Sequence, residues 1–320
     1  MGSQKLRIAL GFTIISIIWG STWLAIKIGL ESIPPFYGVA IRFAVATVIL
    51  AIIVILRKEA VPLTRQAVGL YISLAFLSFS IPYALVYWSE QYISSGLASV
   101  LFAAYPFVVA ITSHYALRNE RLNIFKMIGI SLGFVGVLVI FWSDISLGSS
   151  GISGMIGILL STILQGISLV IVKRINKTVS PIALSLGGMV IGVVILFGIA
   201  MTFEDRSAVS FDTRGVLSIL YLGTFGTVVT FVIYYWLLKH VEAVYLSLVA
   251  FVTPVLALIL GAVMGKGFFS RVFYPMDPDI VSAIFGFGAF IVAFLAVKVW
   301  SKRIEKDTSY KPVIEEILEE

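Results

Sequence analysis

Apolar residues fill this chain in long runs, separated by short polar or charged breaks. Runs of about 20 apolar residues are long enough for a helix to cross a bilayer. The pattern predicts ten such spans. Five lie in the first half, at 8–29, 35–56, 67–88, 95–116 and 125–142. Five more follow at 154–172, 181–203, 215–238, 243–264 and 280–300. The expected fold is an all-α polytopic membrane protein. The first run is too long for a signal-peptide core, lacks a small-residue cleavage site and leads directly into further spans. Residues 301–320 alternate in charge and read as a solvated tail.

Self-similarity organises the ten spans. The segment from Trp19 to Lys27 aligns with Gln165 to Lys173 at an offset of 146, which also carries Pro35 onto Pro181 and Gly69 onto Gly215. At an offset of 148, Tyr87-Trp88 meets Tyr235-Trp236, Ser99 meets Ser247 and Pro106 meets Pro254. Gly133-Phe134 meets Gly286-Phe287 further on. Each repeat then holds five spans, an odd number, so the second copy enters the membrane from the opposite face. The expected division is 1–146 and 147–300 for the two repeats and 301–320 for the tail. Inverted repeats are the architecture of secondary transporters, whose halves rock to expose a central site to each side in turn.

Composition narrows the class. Hydrophobic residues make up 59% and charged residues 12% of 320 positions, and the mean hydropathy is +1.05. Soluble domains carry about twice that charged fraction. A large water-soluble core is therefore excluded, and so is long disorder, which needs low hydrophobicity. The absence of cysteine excludes disulfides, thiolate nucleophiles, iron–sulfur clusters and Cys-ligated zinc.

The formal charge of +6 is a topology signal. On the side holding both termini, seventeen Lys and Arg are found: 5, 7, 57, 58, 65, 118, 121, 126, 173, 174, 177, 239, 298, 302, 303, 306 and 311. The other side has four: Arg206, Arg214, Lys266 and Arg271. The positive-inside rule then makes both termini cytoplasmic, in a plasma or inner membrane. A nucleic-acid partner is not expected; the expected partners are the bilayer and a small-molecule substrate.

Several motifs resemble a known family. Trp19-Gly-Ser-Thr-Trp, Pro34-Pro35 with Arg42-Phe43, Tyr105-Pro106, and Arg118-Asn119-Glu120-Arg121 are similar to an EamA-type repeat. That resemblance covers about residues 8–300 and places the chain with the drug/metabolite transporter superfamily. It implies ten helices in two inverted five-helix repeats, and export or exchange of small metabolites such as amino acids. Relatives in that superfamily also carry nucleotide sugars or phosphorylated sugars, so substrate identity does not transfer. One departure is local. Where the second repeat of the family shows Gly-Glu after span nine, this chain has Gly265-Lys266, followed by an unusual loop through 279.

Polar groups within spans need partners, so they mark interior or water-facing surfaces. Ser80, Tyr83, Tyr87 and Gln91 share one helical face in span three. Trp19, Thr22 and Trp23 lie near the middle of span one; Gln165 stands at the Trp19-equivalent position with Ser161 and Ser168 close by. Span eight contributes Thr227, Thr230 and Tyr234. These residues are the candidate substrate lining, with Trp19 and Gln165 its centre. For Tyr87, Trp88, Tyr235 and Trp236, near span ends, anchoring at the membrane interface is an equal alternative.

Arg42 lies seven residues after Pro35, about 10 Å into span two at about 1.5 Å per residue. It needs a partner there, and Glu31 and Glu90 are the expected candidates. A structural clamp is favoured for it over an anion site. Lys27 and Lys173, at span ends, are expected to snorkel. Pro106 and Pro254 are repeat-equivalent and suit helix kinks used in gating. Small residues at Gly129 and Gly133 suit close packing, so the protein is expected to be a monomer or homodimer.

No cofactor or metal is implied. GAVMGKG at 261–267 lacks the spacing and the Ser/Thr of a phosphate loop, and His114 and His240 lack neighbouring ligands. The expected activity is a secondary transporter working by alternating access, with an organic-phosphate or nucleotide-sugar carrier as the alternative. A polytopic membrane enzyme fits less well, because no cluster of His, Asp or Glu is visible. No Asp or Glu lies near a span centre, and Glu90 is the only acid at a span edge. Facilitated movement or exchange is therefore expected over strong proton-driven uptake.

Overall fold

The computed structural model describes residues 2–120, 122–140 and 149–264. Among these the regular structure is entirely helical. The first four spans are Gly2–Gly29, Pro35–Arg57, Arg65–Ser89 and Ser95–Ala116. The fifth is Ile124–Ile140, the sixth Ser149–Ile175, the seventh Pro181–Phe203 and the eighth Thr213–His240. The ninth is Ala243–Ser247 followed by Val249–Met264. Seven of these are long and apolar enough to cross a membrane among the described residues. The predicted tenth span, the 266–279 loop and the tail lie outside the described residues.

Local sequence explains where the helices begin. Pro35 and Pro181 occupy first-turn positions, where a missing N–H costs nothing. Thr64, Ser94, Ser180 and Asp212 cap their helices, each side chain accepting the N–H three residues on. The second span ends at Lys58 in the left-handed conformation (φ 50°), which returns its N–H to Ile55 and Val54.

Two spans expected to be continuous are broken. The fourth splits into Ser95–Phe102 and Tyr105–Ala116. Pro106 cannot donate to Phe102, and its ring crowds that carbonyl, so the helix restarts beside it. The ninth breaks at Leu248, ahead of Pro254, which lies inside Val249–Met264. The third and eighth spans instead widen at matching depth into π-helical segments, Ala75–Ser80 and Thr224–Val229. Single wide turns of this kind frequently mark functional sites.

The inversion is visible in how the repeat-equivalent second and seventh spans pack. Glu204, just past the seventh, accepts the backbone N–H of Phe36 and Tyr37 at the start of the second, each at 2.8 Å. At the opposite end Glu59, just past the second, accepts the hydroxyl of Ser180 at the start of the seventh. The two helices therefore run antiparallel, and each carries an acid at the other's positive N-terminus. Burial raises the pKa of the Glu204 carboxyl, while the two N–H donors oppose the shift.

Other cross-repeat contacts come in mirrored pairs. Span one packs on nine as six packs on four, and span one on eight as six on three. Gly20 lies so close to span nine that an added Cβ would stand 2.6 Å from Leu256. Its counterpart Gly166 meets Val108, the equivalent of Leu256, at the same 2.6 Å. Both contacts need glycine for the close approach. Gly133 packs against Phe251, whereas Gly129 has open space around it. The large apolar residues left outside, among them Leu56, Val194, Met201 and Phe203, suit a hydrocarbon surround.

Candidate functional site: a central cavity on the repeat axis

Between the two repeats lies a cavity that, counted with the open space at its mouth, encloses about 780 Å³. Its walls come from spans one to four, six, eight and nine. Most of the lining falls into repeat-equivalent pairs. These are Trp19 with Gln165, Trp23 with Leu169, Tyr83 with Phe231, Val86 with Tyr234, Phe102 with Ala250, and Tyr105 with Thr253. The cavity therefore sits where the pseudo-twofold runs.

Of the residues predicted from sequence, Trp19, Thr22, Trp23, Tyr83, Gln165 and Tyr234 line this cavity, and so does Arg42. Trp19 stacks its edge near Phe231 (5.7 Å between ring centres) and Tyr234 (4.9 Å). Its indole N–H is buried without a partner. The Gln165 amide donates to Ser161 at 3.0 Å, which steadies it within its own helix. Tyr234 and Tyr105 join hydroxyls at 2.8 Å from opposite repeats.

Ser80, Tyr87, Ser168 and Thr230 are not in the lining. Ser80 closes the π-helical segment and donates to the Gly192 carbonyl on span seven, and Thr230 donates to Gly226 in its own helix at 2.8 Å. Ser168 is fully buried with a free hydroxyl. Tyr87 and Tyr235 are both 3% exposed, and Tyr235 lines the cavity, so neither is an interface anchor. The shared face expected in span three therefore serves several neighbours, with Tyr83 its one cavity residue.

Sequence reasoning missed the mainly apolar lining of Phe102, Val249, Ala250 and Thr253, and the facing Tyr105. The offset of 148 would have found most of them, since it maps Phe102 onto Ala250 and Tyr105 onto Thr253.

Arg42 is 1% exposed and does not pair with either expected acid. Its Nε donates to the Thr227 hydroxyl at 2.9 Å, and one terminal nitrogen donates to the Gly226 carbonyl at 3.1 Å. The other reaches the Tyr87 hydroxyl at 3.4 Å. Its guanidinium also lies 4.9 Å from the Tyr83 ring centre, a cation–π distance. Thr227 and Gly226 both belong to the π-helical segment of span eight, which sequence periodicity could not reveal. Glu31 instead pairs with Arg214 at 2.8 Å. Glu90 accepts the Ser95 hydroxyl at 2.8 Å, and its second oxygen is buried and unpartnered.

Both lysines reach backbone carbonyls at the span ends. Lys27 donates to the Glu90 carbonyl at 2.7 Å, and its counterpart Lys173 donates to the Leu238 carbonyl at 2.6 Å and to Val241 at 2.8 Å. Glu90 and Leu238 are themselves equivalent at the offset of 148. Each repeat thus uses a lysine to cap the C-terminus of its own third helix.

Charges gather at the Lys173 end. Glu120 accepts the Ala243 N–H at 2.7 Å and lies 3.6 Å from Lys173, while Lys126 pairs with Glu242 at 2.6 Å. This cluster ties the fourth, fifth, sixth and ninth spans together. Burial raises the Glu120 carboxyl, opposed first by Lys173 and then by the Ala243 N–H. At the opposite end burial pushes Glu90 up to about 8, against the pull of Ser95 and Lys27. Among the described residues no three His, Asp or Glu side chains are grouped to hold a metal.

The chemistry of the cavity is recognition: aromatic faces, a few hydroxyls, one amide and one guanidinium. Comparison with known proteins identifies the family. The EamA-like transporter family profile matches residues 6–142 and again 152–274. A profile for the positive regulator of sigma(E), RseC/MucC, also matches residues 237–316 and overlaps the second of these. The uncharacterized transporter YoaV of Bacillus subtilis is 28% identical over 80% of this chain and 87% of its own length. A transporter of Archaeoglobus fulgidus is 30% identical over 82% of this chain and 90% of its own. The inner membrane transporter YedA of Escherichia coli is 28% identical over 80% of this chain and 82% of its own. A solved crystal structure shares the fold, with a TM-score of 0.72 over 92% of this chain and 98% of that one, at 16% identity. Two matched repeats around one central cavity make this chain a multi-pass membrane protein of the EamA-like transporter family.

Proposed function

We propose that this protein moves small metabolites across the membrane by alternating access, with the cavity on the repeat axis as its substrate site. The carrying observation is that the walls come from equivalent residues of two antiparallel repeats, with Trp19 and Gln165 facing one space. A site on the symmetry axis becomes accessible from either side when one half rocks against the other. Exchange or facilitated movement suits it, because no acid lines the cavity among the described residues. The distribution of positive residues supports a cytoplasmic position for both termini and for the Lys173 end. Charged ties stand at both ends, Glu120 with Lys173 and Lys126 with Glu242 at that one and Glu31 with Arg214 at the Lys27 end, and they are the contacts that rocking would have to exchange.

An organic-phosphate carrier finds less support. Lys27 and Lys173 are committed to carbonyls, which leaves Arg42 as the one cation of the lining among the described residues. The test is flux of a metabolite panel into proteoliposomes. Gln165→Ala and Trp19→Ala should each weaken flux severely at matched levels of folded protein, while Thr202→Ala on the exposed rim of span seven should not. Near-normal flux in both cavity variants would refute this site. A single cysteine replacing Ile26 or Leu169 in this cysteine-free chain should be labelled from both sides of the membrane. Labelling from one side alone, under all conditions, would refute alternation.

A further inference from the structure

The next step rests on the transport reading and concerns the charge of what the cavity carries. Arg42 is nearly inaccessible and sits in the cavity wall. All three of its hydrogen bonds go to neutral groups: Thr227, Gly226 and Tyr87. Among the described residues no carboxylate lies within ion-pair distance of it. The acids expected to pair with it are engaged elsewhere, Glu31 with Arg214 and Glu90 with Ser95. A guanidinium keeps its proton in proteins. The cavity wall therefore carries a buried positive charge that no described side chain neutralises, an arrangement that favours an anionic ligand. A purely structural clamp would be cheaper as a neutral pair, with one of those acids beside it.

We propose that the cavity takes a monoanionic carboxylate with an apolar body of aromatic size, and that Arg42 holds the carboxylate. The guanidinium has five N–H groups. Three are engaged, and the 3.4 Å bond to Tyr87 is the weakest of them and the first to yield to a ligand. The remaining donors suit a carboxylate, which binds guanidinium through two parallel bonds. Trp19, Trp23, Tyr83 and Phe231 supply faces for the apolar body. Among the described residues no Asp or Glu lines the cavity, and 280–297 in the sequence adds none. An ammonium group would find no counter-charge, so cations and zwitterions are disfavoured. With Arg42 the one cation of the described lining, a phosphate dianion would stay half neutralised.

Isothermal titration calorimetry on the purified full-length protein tests this with four ligands of one shape. They are 3-phenylpropanoate, 3-phenylpropanamide, phenylalanine and phenethylamine. The anion should bind about tenfold to a hundredfold tighter than the amide, the range expected for a hydrogen-bonded charge. Phenylalanine should be weaker than the anion, and phenethylamine weakest. In Arg42→Gln the anion should fall to the level of the amide, with amide binding little changed. Arg42→Lys should retain part of the preference and controls for folding. Equal binding of anion and amide, equal binding of phenylalanine, or an anion preference that survives in folded Arg42→Gln each overturn the proposal. Failure of all four ligands to bind overturns it too. The alternating cysteine labelling described above is read independently of these ligands, so it separates a failed charge assignment from a failed transport reading.

Discussion

Thr227 offers the sharpest measurement of how Arg42 is held. Its hydroxyl accepts Arg42 Nε at 2.9 Å and donates to the Leu222 carbonyl at 2.8 Å, and both side chains are buried. Thr227→Val keeps the shape of the side chain and removes both bonds. The Leu222 bond is local, and its loss is the same whatever stands at position 42. A double-mutant cycle with Arg42→Met cancels it and isolates the Arg42–Thr227 term. Hydrogen bonds to charged groups contribute about 1.5–3 kcal/mol, whereas interhelical bonds in membranes average about 0.6 kcal/mol. The donor is charged and fully desolvated, so the expected coupling is about 1–2 kcal/mol. The assay is reversible unfolding in mixed micelles by SDS titration, with Thr227→Ser as the variant that keeps the hydroxyl. A coupling below about 0.5 kcal/mol, or a Thr227→Ser as costly as Thr227→Val, would show that Arg42 depends on other groups.

Three further outcomes are expected. For Glu90, raised by burial to about 8, the folded state binds more protons than the unfolded one between about pH 4.5 and 8. Stability should therefore fall as pH rises through that window. Glu90→Gln should flatten the profile of thermal stability against pH, and an unchanged slope would mean that another group titrates. Gly166→Ala should destabilise, because its Cβ would stand 2.6 Å from Val108; restoration by the added change Val108→Ala would confirm the steric cause, and no restoration would contradict it. Single cysteines at Gln91 and at Lys58 or Asn176 should label from opposite sides of the membrane, the first outside and the others inside, and labelling from one common side would contradict the inverted topology.

Much of this fold was legible because the bilayer restricts the choices. The predicted limits of spans four and seven coincide with the helices found, since Ser94 and Ser180 cap them at the residue where the apolar run begins. The repeat offset was also legible, and it foretold that Trp19 and Gln165 would meet at one space. Sequence periodicity assumes one regular helix per run, so the π-helical segments at 75–80 and 224–229 were hidden from it. Those segments decide what Arg42 touches, which is why charge complementarity pointed wrongly to Glu31 and Glu90. The carbonyls held by Lys27 and Lys173 were hidden for a related reason: tertiary packing alone brings those helix C-termini to them.

The reciprocal acids at the ends of spans two and seven have a wider consequence. Glu204 and Glu59 each serve the opposite half, so every repeat presents both a surface and the complement to that surface. The two halves are related as the subunits of an antiparallel homodimer would be. A true homodimer would receive an oriented ligand equally well in two directions. Once the halves shared one polypeptide, the positions facing the axis were free to diverge, and Trp19 against Gln165, or Arg42 against Gly188, shows that they did. That divergence gives a molecule with a polar end and an apolar end a single way to lie in the membrane.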